Sequence, residues 1–81
     1  MYLPIGNDMS VRDSAVIGIF DLDNTTVSPR TREFLRRAQE DGCIISCDEL
    51  PKSYVVTVEY GMLRIYESAY SVSTLQKRMT K

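Results

Sequence analysis

Histidine is absent from this chain and cysteine occurs only twice, at Cys43 and Cys47. Two thiols without histidine cannot fill a four-ligand zinc site within one chain. Glycine and proline are sparse, four and three residues, and no low-complexity segment, linker or internal repeat interrupts the sequence. Long apolar runs are also missing: none approaches the ~20 residues that a membrane helix requires. No signal-peptide pattern opens the sequence, so a cytoplasmic location is expected. What is present is ordinary for a globular domain, 43% hydrophobic and 26% charged residues in 81. A single domain spanning 1–81 follows. At this size it buries only roughly 60% of its unfolded surface, so its core is marginal.

The net charge of −1 conceals a pattern. Residues 1–29 set Arg12 against Asp8, Asp13, Asp21 and Asp23, giving −3. Residues 30–37 set Arg30, Arg32, Arg36 and Arg37 against Glu33, giving +3. Residues 38–67 set Lys52 and Arg64 against six acids, giving −4, and Lys77, Arg78 and Lys81 in the tail give +3. Positive charge is gathered into two islands. The acidic pI of 5.3 argues against non-specific nucleic-acid binding by the whole surface, yet it permits one basic face.

Both islands fall on helical segments. Ser28-Pro29 reads as an N-cap followed by proline at the first helical position, and the helix should run from Pro29 to Asp41 and stop at Gly42. At ~100° per residue, Thr31, Phe34, Leu35 and Ala38 share one face while Arg32, Arg36 and Arg37 point away from it. Two readings of that arginine face stand side by side. It is either a solvated face with ion pairs from Glu33 to Arg37 and Arg36 to Glu40, or a row turned toward phosphates. A second helix is expected over Val72–Met79, capped by Ser71 or Ser73.

The remainder reads as strand. Tyr2–Ile5 and Met9–Arg12 flank Gly6-Asn7-Asp8 as one hairpin, and Tyr54–Val58 and Met62–Tyr66 flank Glu59-Tyr60-Gly61 as another. The continuous apolar run Ala15–Phe20 predicts a central strand covered on both faces. A short strand over Cys43–Cys47 would put Cys43, Ile45 and Cys47 on one face, where the thiols serve as small buried hydrophobes or, alternatively, as a redox pair. The fold class is therefore α+β: a small, mostly antiparallel sheet of about six short strands with two helices and no βαβ rhythm. Such a sheet leaves edges that are commonly covered or paired with another subunit. Five tyrosines, most of them near hairpins, suit such an interface and point to a homo-oligomer.

One local motif points elsewhere. Ile19-Phe20-Asp21-Leu22-Asp23-Asn24-Thr25-Thr26-Val27 resembles the nucleophile motif of haloacid dehalogenase-like phosphatases, in which Asp21 would be the nucleophile and Asp23 the acid/base. A phosphatase core needs about five strand–helix units of roughly 30 residues. Only 54 residues follow Val27 (81 − 27), and Asp48, Glu49 and Lys52 sit too close together to serve as the remaining motifs. The competing reading is a polar turn leaving a buried strand, where Asp, Asn, Thr and Ser bond to local backbone.

The chain as a whole resembles the small bacterial extracellular matrix regulators RemA and RemB, and most of all the RemB branch. The resemblance rests on Tyr2-Leu3-Pro4-Ile5-Gly6-Asn7-Asp8, Ile17-Gly18-Ile19-Phe20-Asp21, Thr31-Arg32-Glu33-Phe34-Leu35, Leu50-Pro51-Lys52-Ser53 and Ser73-Thr74-Leu75-Gln76-Lys77-Arg78, in that order. It implies a DNA-associated regulator of biofilm-matrix genes, with a fold similar to LytTR-type domains and subunits that close into a ring. The RemA branch carries an arginine pair just before the second hairpin, where this chain reads Glu49-Leu50, and Lys52 matches a nearby basic position. DNA contact would then lean on Arg32, Arg36, Arg37 and Lys52. No enzyme activity, cofactor, metal, membrane or small-molecule ligand is expected; the partners are DNA and further copies of the chain. A protein-interaction scaffold whose basic faces meet acidic partners is the alternative.

Overall fold

The structure, a computed structural model, describes residues 1–6, 8–22, 29–47 and 49–79. The polar turn expected before the first helix falls largely on Asp23 to Ser28, which, with the expected Ser28 cap, lie outside the described residues, as do Asn7, Asp48, Thr80 and Lys81.

Two hairpins build most of the sheet structure. Strands β1 (Tyr2–Gly6) and β2 (Met9–Arg12) pair antiparallel as a separate two-stranded sheet. Its register shifts between Pro4 and Gly6, so Ile5 is an extra residue in a β-bulge. A 3-10 turn at Asp13–Ala15 leads into β3 (Val16–Asp21). The second hairpin, β5 (Ser53–Glu59) and β6 (Met62–Ser68), pairs in register from Ser53↔Ser68 to Glu59↔Met62. Its two-residue loop places Tyr60 at φ 54° and Gly61 at φ 75°. Positive φ at both positions gives the turn that matches strand twist in tight hairpins.

The four-stranded sheet has the order β3-β5-β6-β4, where β4 is Ile44–Ile45. Three expectations need correction. The strands form two sheets rather than one, because the first hairpin packs across the larger sheet instead of extending it. The short strand at Cys43–Cys47 shrinks to Ile44–Ile45, pairs parallel with β6, and leaves both thiols free and half-buried. The apolar run Ala15–Phe20 is not central: β3 is an edge strand, Ala15 belongs to the 3-10 turn, and Ile17 is 67% exposed. Ile17 is the extra residue of a second bulge, between Val16↔Thr57 and Gly18↔Val56. A bulge on an edge strand turns its side chain away from the ladder.

Alternation along β5 sets up two cores. Val55 faces Leu3, Ile5, Val11 and Leu75, so the first hairpin and α2 (Val72–Met79) cover one side of the sheet. Val56 and Ile65 face the other side, where α1 (Pro29–Glu40) lays Leu35 and Ala38 onto them. Fully burying an aliphatic side chain such as Leu75 contributes about 1.5–3 kcal/mol. Ser71 caps α2 as expected, its hydroxyl accepting the Thr74 N–H at 3.3 Å. Gly42, at φ 73°, ends the α1 segment.

Candidate nucleic-acid interface

Helix α1 displays the arginines on the face turned from the sheet, as the 3.6-residue period requires. Arg36 and Arg37 have side chains 53% and 74% exposed. Arg36 is held between Glu33 and Glu40, and the Arg37 Nε donates to Glu33 at 3.1 Å. The Glu33 carboxyl is held down to about 2, first by the Arg36 hydrogen bond and then by that of Arg37. The same contact raises the Arg36 guanidinium above its ordinary value. The expected pairs Glu33–Arg37 and Arg36–Glu40 are therefore both present. An i,i+3 pair between Glu33 and Arg36 joins them, one that the spacing also permits. Surface pairs of this kind contribute little to stability, because water screens them.

Arg32 lies one turn before Arg36, exposed, and meets no carboxylate among the described residues. Lys52 stands apart, just before β5. Its backbone N–H donates to the Ser68 carbonyl at 2.7 Å, and its carbonyl accepts the Leu22 N–H at 3.1 Å, which leaves the side chain exposed. Among the described residues no contact joins Lys52 to the α1 arginines, so the four residues form a row of three and an outlier. In the second basic island, Arg78 is engaged within the fold. The Arg78 guanidinium donates to the Pro4 carbonyl at 3.3 Å and lies over the Tyr70 ring, 4.5 Å from its centroid.

The phosphatase-like motif sits in a different setting from the one that chemistry requires. Asp21 ends an antiparallel edge strand paired to Ser53, not a strand inside a parallel sheet. Residues missed from the sequence alone are Ile17, Phe20, Phe34 and Arg30, which line an apolar groove of about 270 Å³ between β3 and α1. The signal is the unbroken apolar run itself, which fits an exposed edge as well as it fits burial. No helix among the described residues is long and apolar enough to cross a membrane.

No protein-family model matches the chain. Extracellular matrix regulatory protein B of Bacillus subtilis (strain 168) is 41% identical to it over 78 residues, covering 96% of this chain and 89% of that protein. The alignment takes in both hairpins, α1 and α2 together, so the likeness belongs to the whole fold and not to one motif. On that identity and coverage, the chain belongs to the RemA/RemB family of extracellular matrix regulatory proteins, on its RemB branch.

Proposed function

We propose that the chain is a non-enzymatic, DNA-associated transcriptional regulator of extracellular (biofilm) matrix genes. In this reading it works in the cytoplasm as a homo-oligomeric ring that meets DNA phosphates through one basic patch repeated on every subunit. The observation that carries the reading is the 41% identity, along nearly the full chain, to a protein named for regulating the extracellular matrix. The exposed arginine face of α1 supports it, and Arg32, Arg36, Arg37 and Lys52 are the proposed contacts. Arg32 and Lys52 have the fewest intramolecular competitors, whereas Arg36 must exchange Glu33 and Glu40 for a phosphate.

A subunit with a few phosphate contacts binds DNA weakly at cellular salt, and repetition around an oligomer raises avidity without new contacts. Because the arginine row contacts phosphates, which carry no sequence information, selectivity would come from DNA shape and curvature. The test is a gel shift at low and at raised salt. A shift at low salt that fades steeply with added salt is expected.

The second reading is a protein-interaction scaffold, favoured by one observation: Glu33 and Glu40 already neutralise much of the α1 arginine charge. Absence of any DNA shift at low salt would select it.

A further inference from the structure

Alternation along β5 puts Thr57 and Glu59 on the same face as Val55, the face that the first hairpin covers. Beyond Val55 the apolar core gives way to a polar cavity of about 280 Å³, between β2 and the turn end of the β5–β6 hairpin. Buried Val11 and Ala15 line part of it, and Arg12 and Glu59 are its charged groups. Tyr2, Tyr60 and Tyr66 supply its rings. The cavity lies on the sheet face opposite α1, apart from the arginine row. No small-molecule ligand was expected from the sequence, because the walls come from both hairpins and no single segment carries them.

Cross-strand pairing sets Tyr2 beside Arg12. A hydrogen bond with Tyr2, then the charge interactions with Tyr60 and Glu59, raise the Arg12 guanidinium above its ordinary value. The Arg12 Nη1 meets the Glu59 Oε2 at 3.4 Å, and both side chains are partly open to water. So long and wet a pair is weak, and a ligand separates it at little cost. Tyr60 gives a second pointer. Its left-handed backbone, φ 54°, is costly for a residue with a Cβ, and the fold leaves its ring exposed. Backbone strain of this kind clusters at ligand sites. Here it holds an aromatic ring at the cavity that contains the ion pair.

We propose that this cavity binds a free aromatic α-amino acid, with Arg12 holding its carboxylate, Glu59 its ammonium, and Tyr2 and Tyr60 its ring. A ligand that separates the ion pair must satisfy both members, so it carries one charge of each sign. Those charges must lie close together, because Arg12 and Glu59 already touch. An α-amino acid has both on one carbon. The phosphate and base edge of a nucleotide lie too far apart to reach both groups, and a peptide end keeps only one of the two charges. The guanidinium fork matches a carboxylate, and tyrosine faces pack well on a planar ring. Size agrees as well: drug-sized ligands fill roughly 300–1,000 Å³, so this cavity suits one smaller molecule. Because its walls belong to two separate sheets, the bound amino acid ties the first hairpin to the second.

Isothermal titration calorimetry of the full chain tests the proposal with L-phenylalanine and L-tryptophan, each to about 10 mM. At least one should bind, and it should raise the thermal unfolding midpoint, as a ligand selective for the folded state must. L-Alanine lacks the ring, N-acetyl-L-phenylalanine the ammonium and L-phenylalaninamide the carboxylate; each should bind at least about tenfold more weakly. Arg12→Gln and Glu59→Gln should each cost at least about tenfold in affinity, with far-UV circular dichroism matching the wild type to establish that they are folded. Tyr60→Asn should weaken binding without loss of stability, which separates the ring's contact from folding. Absence of binding by both amino acids overturns the proposal, and so does an affinity that all three variants leave unchanged. L-Alanine binding as tightly as the aromatic amino acids overturns the ligand class. Equal binding of the amide or of the acetylated compound overturns the role given to Arg12 or to Glu59.

Discussion

The Ser68 hydroxyl donates to the Ile5 carbonyl at 2.8 Å, joining two residues 63 positions apart, both buried. Ile5 is the extra residue in the bulge of β1, and Ser68 at the end of β6 gives its carbonyl a side-chain donor. The same hydroxyl accepts the Tyr70 N–H at 3.1 Å. One side chain thus pins the first hairpin to the larger sheet and shapes the approach to α2.

Replacing Ser68 by alanine removes the side-chain partner of both backbone groups, the Ile5 carbonyl in a buried place and the Tyr70 N–H in a half-buried one. Each stranded polar group costs about 1–3 kcal/mol. Urea unfolding of Ser68→Ala should show a lower midpoint with an unchanged slope. A loss smaller than about 0.5 kcal/mol would mean that water or a backbone shift replaces the hydroxyl.

The second-hairpin turn makes a prediction with two signs. Tyr60 is 88% exposed and adopts a left-handed backbone at φ 54°, which costs a side chain with a Cβ about 1–2 kcal/mol. Asparagine tolerates that conformation better and is favoured in this turn. Tyr60→Asn should therefore raise stability by up to about 1 kcal/mol, and Gly61→Ala, at φ 75°, should lower it by a similar amount. Chemical denaturation of the two variants in parallel checks both signs.

Much of this fold is legible in the sequence because local patterns specify local elements. Proline at position 29, glycine at 42 and Ser71 place the two helices, and alternation around Gly6 and Gly61 places the hairpins. What local pattern cannot specify is the order of strands in a sheet. An apolar run such as Val16–Phe20 reads alike whether a strand is buried on both faces or stands at an edge, and here it stands at the edge. Cys43–Cys47 reads as a full strand because alternation ignores partners; only Ile44 and Ile45 reach β6. The arginine face follows from helical period alone, and its ion pairs with Glu33 and Glu40 from i,i+4 spacing. Lys52 shares its chemistry with those arginines, but the chain places it on another segment.

Glu33 should titrate far below other carboxylates. Arg36, then Arg37, hold it down to about 2 from an ordinary value near 4.5. The folded-state value is depressed, so the stabilisation is present above the unfolded value and is lost as pH falls from about 4.5 through about 2. The site is exposed, so the effect on global unfolding should be small. Carboxyl chemical shifts followed by NMR should give Glu33 a midpoint near 2, returning toward 4.5 in the Arg36→Ala, Arg37→Ala double variant. A midpoint near 4.5 in the wild type would mean that the Arg36 and Arg37 contacts do not persist in solution.

The same carboxyl reports on DNA. Arg36 and Arg37 cannot keep both hydrogen bonds to Glu33 while turning fully to phosphates, so DNA binding should raise the Glu33 midpoint from about 2. Replacing Arg36 and Arg37 by alanine should weaken binding across unrelated sequences alike. It should also flatten the dependence of log affinity on log salt by roughly 0.9 for each phosphate that a subunit no longer neutralises. Arg32→Ala should act at least as strongly per residue, because no carboxylate among the described residues has to be given up first. Affinity and salt slope unchanged in all these variants would remove α1 from the interface, and an unmoved Glu33 would agree. A fall confined to Lys52→Ala would shift the contact surface to the start of β5 and leave the α1 arginines as a solvated face tied by its own ion pairs.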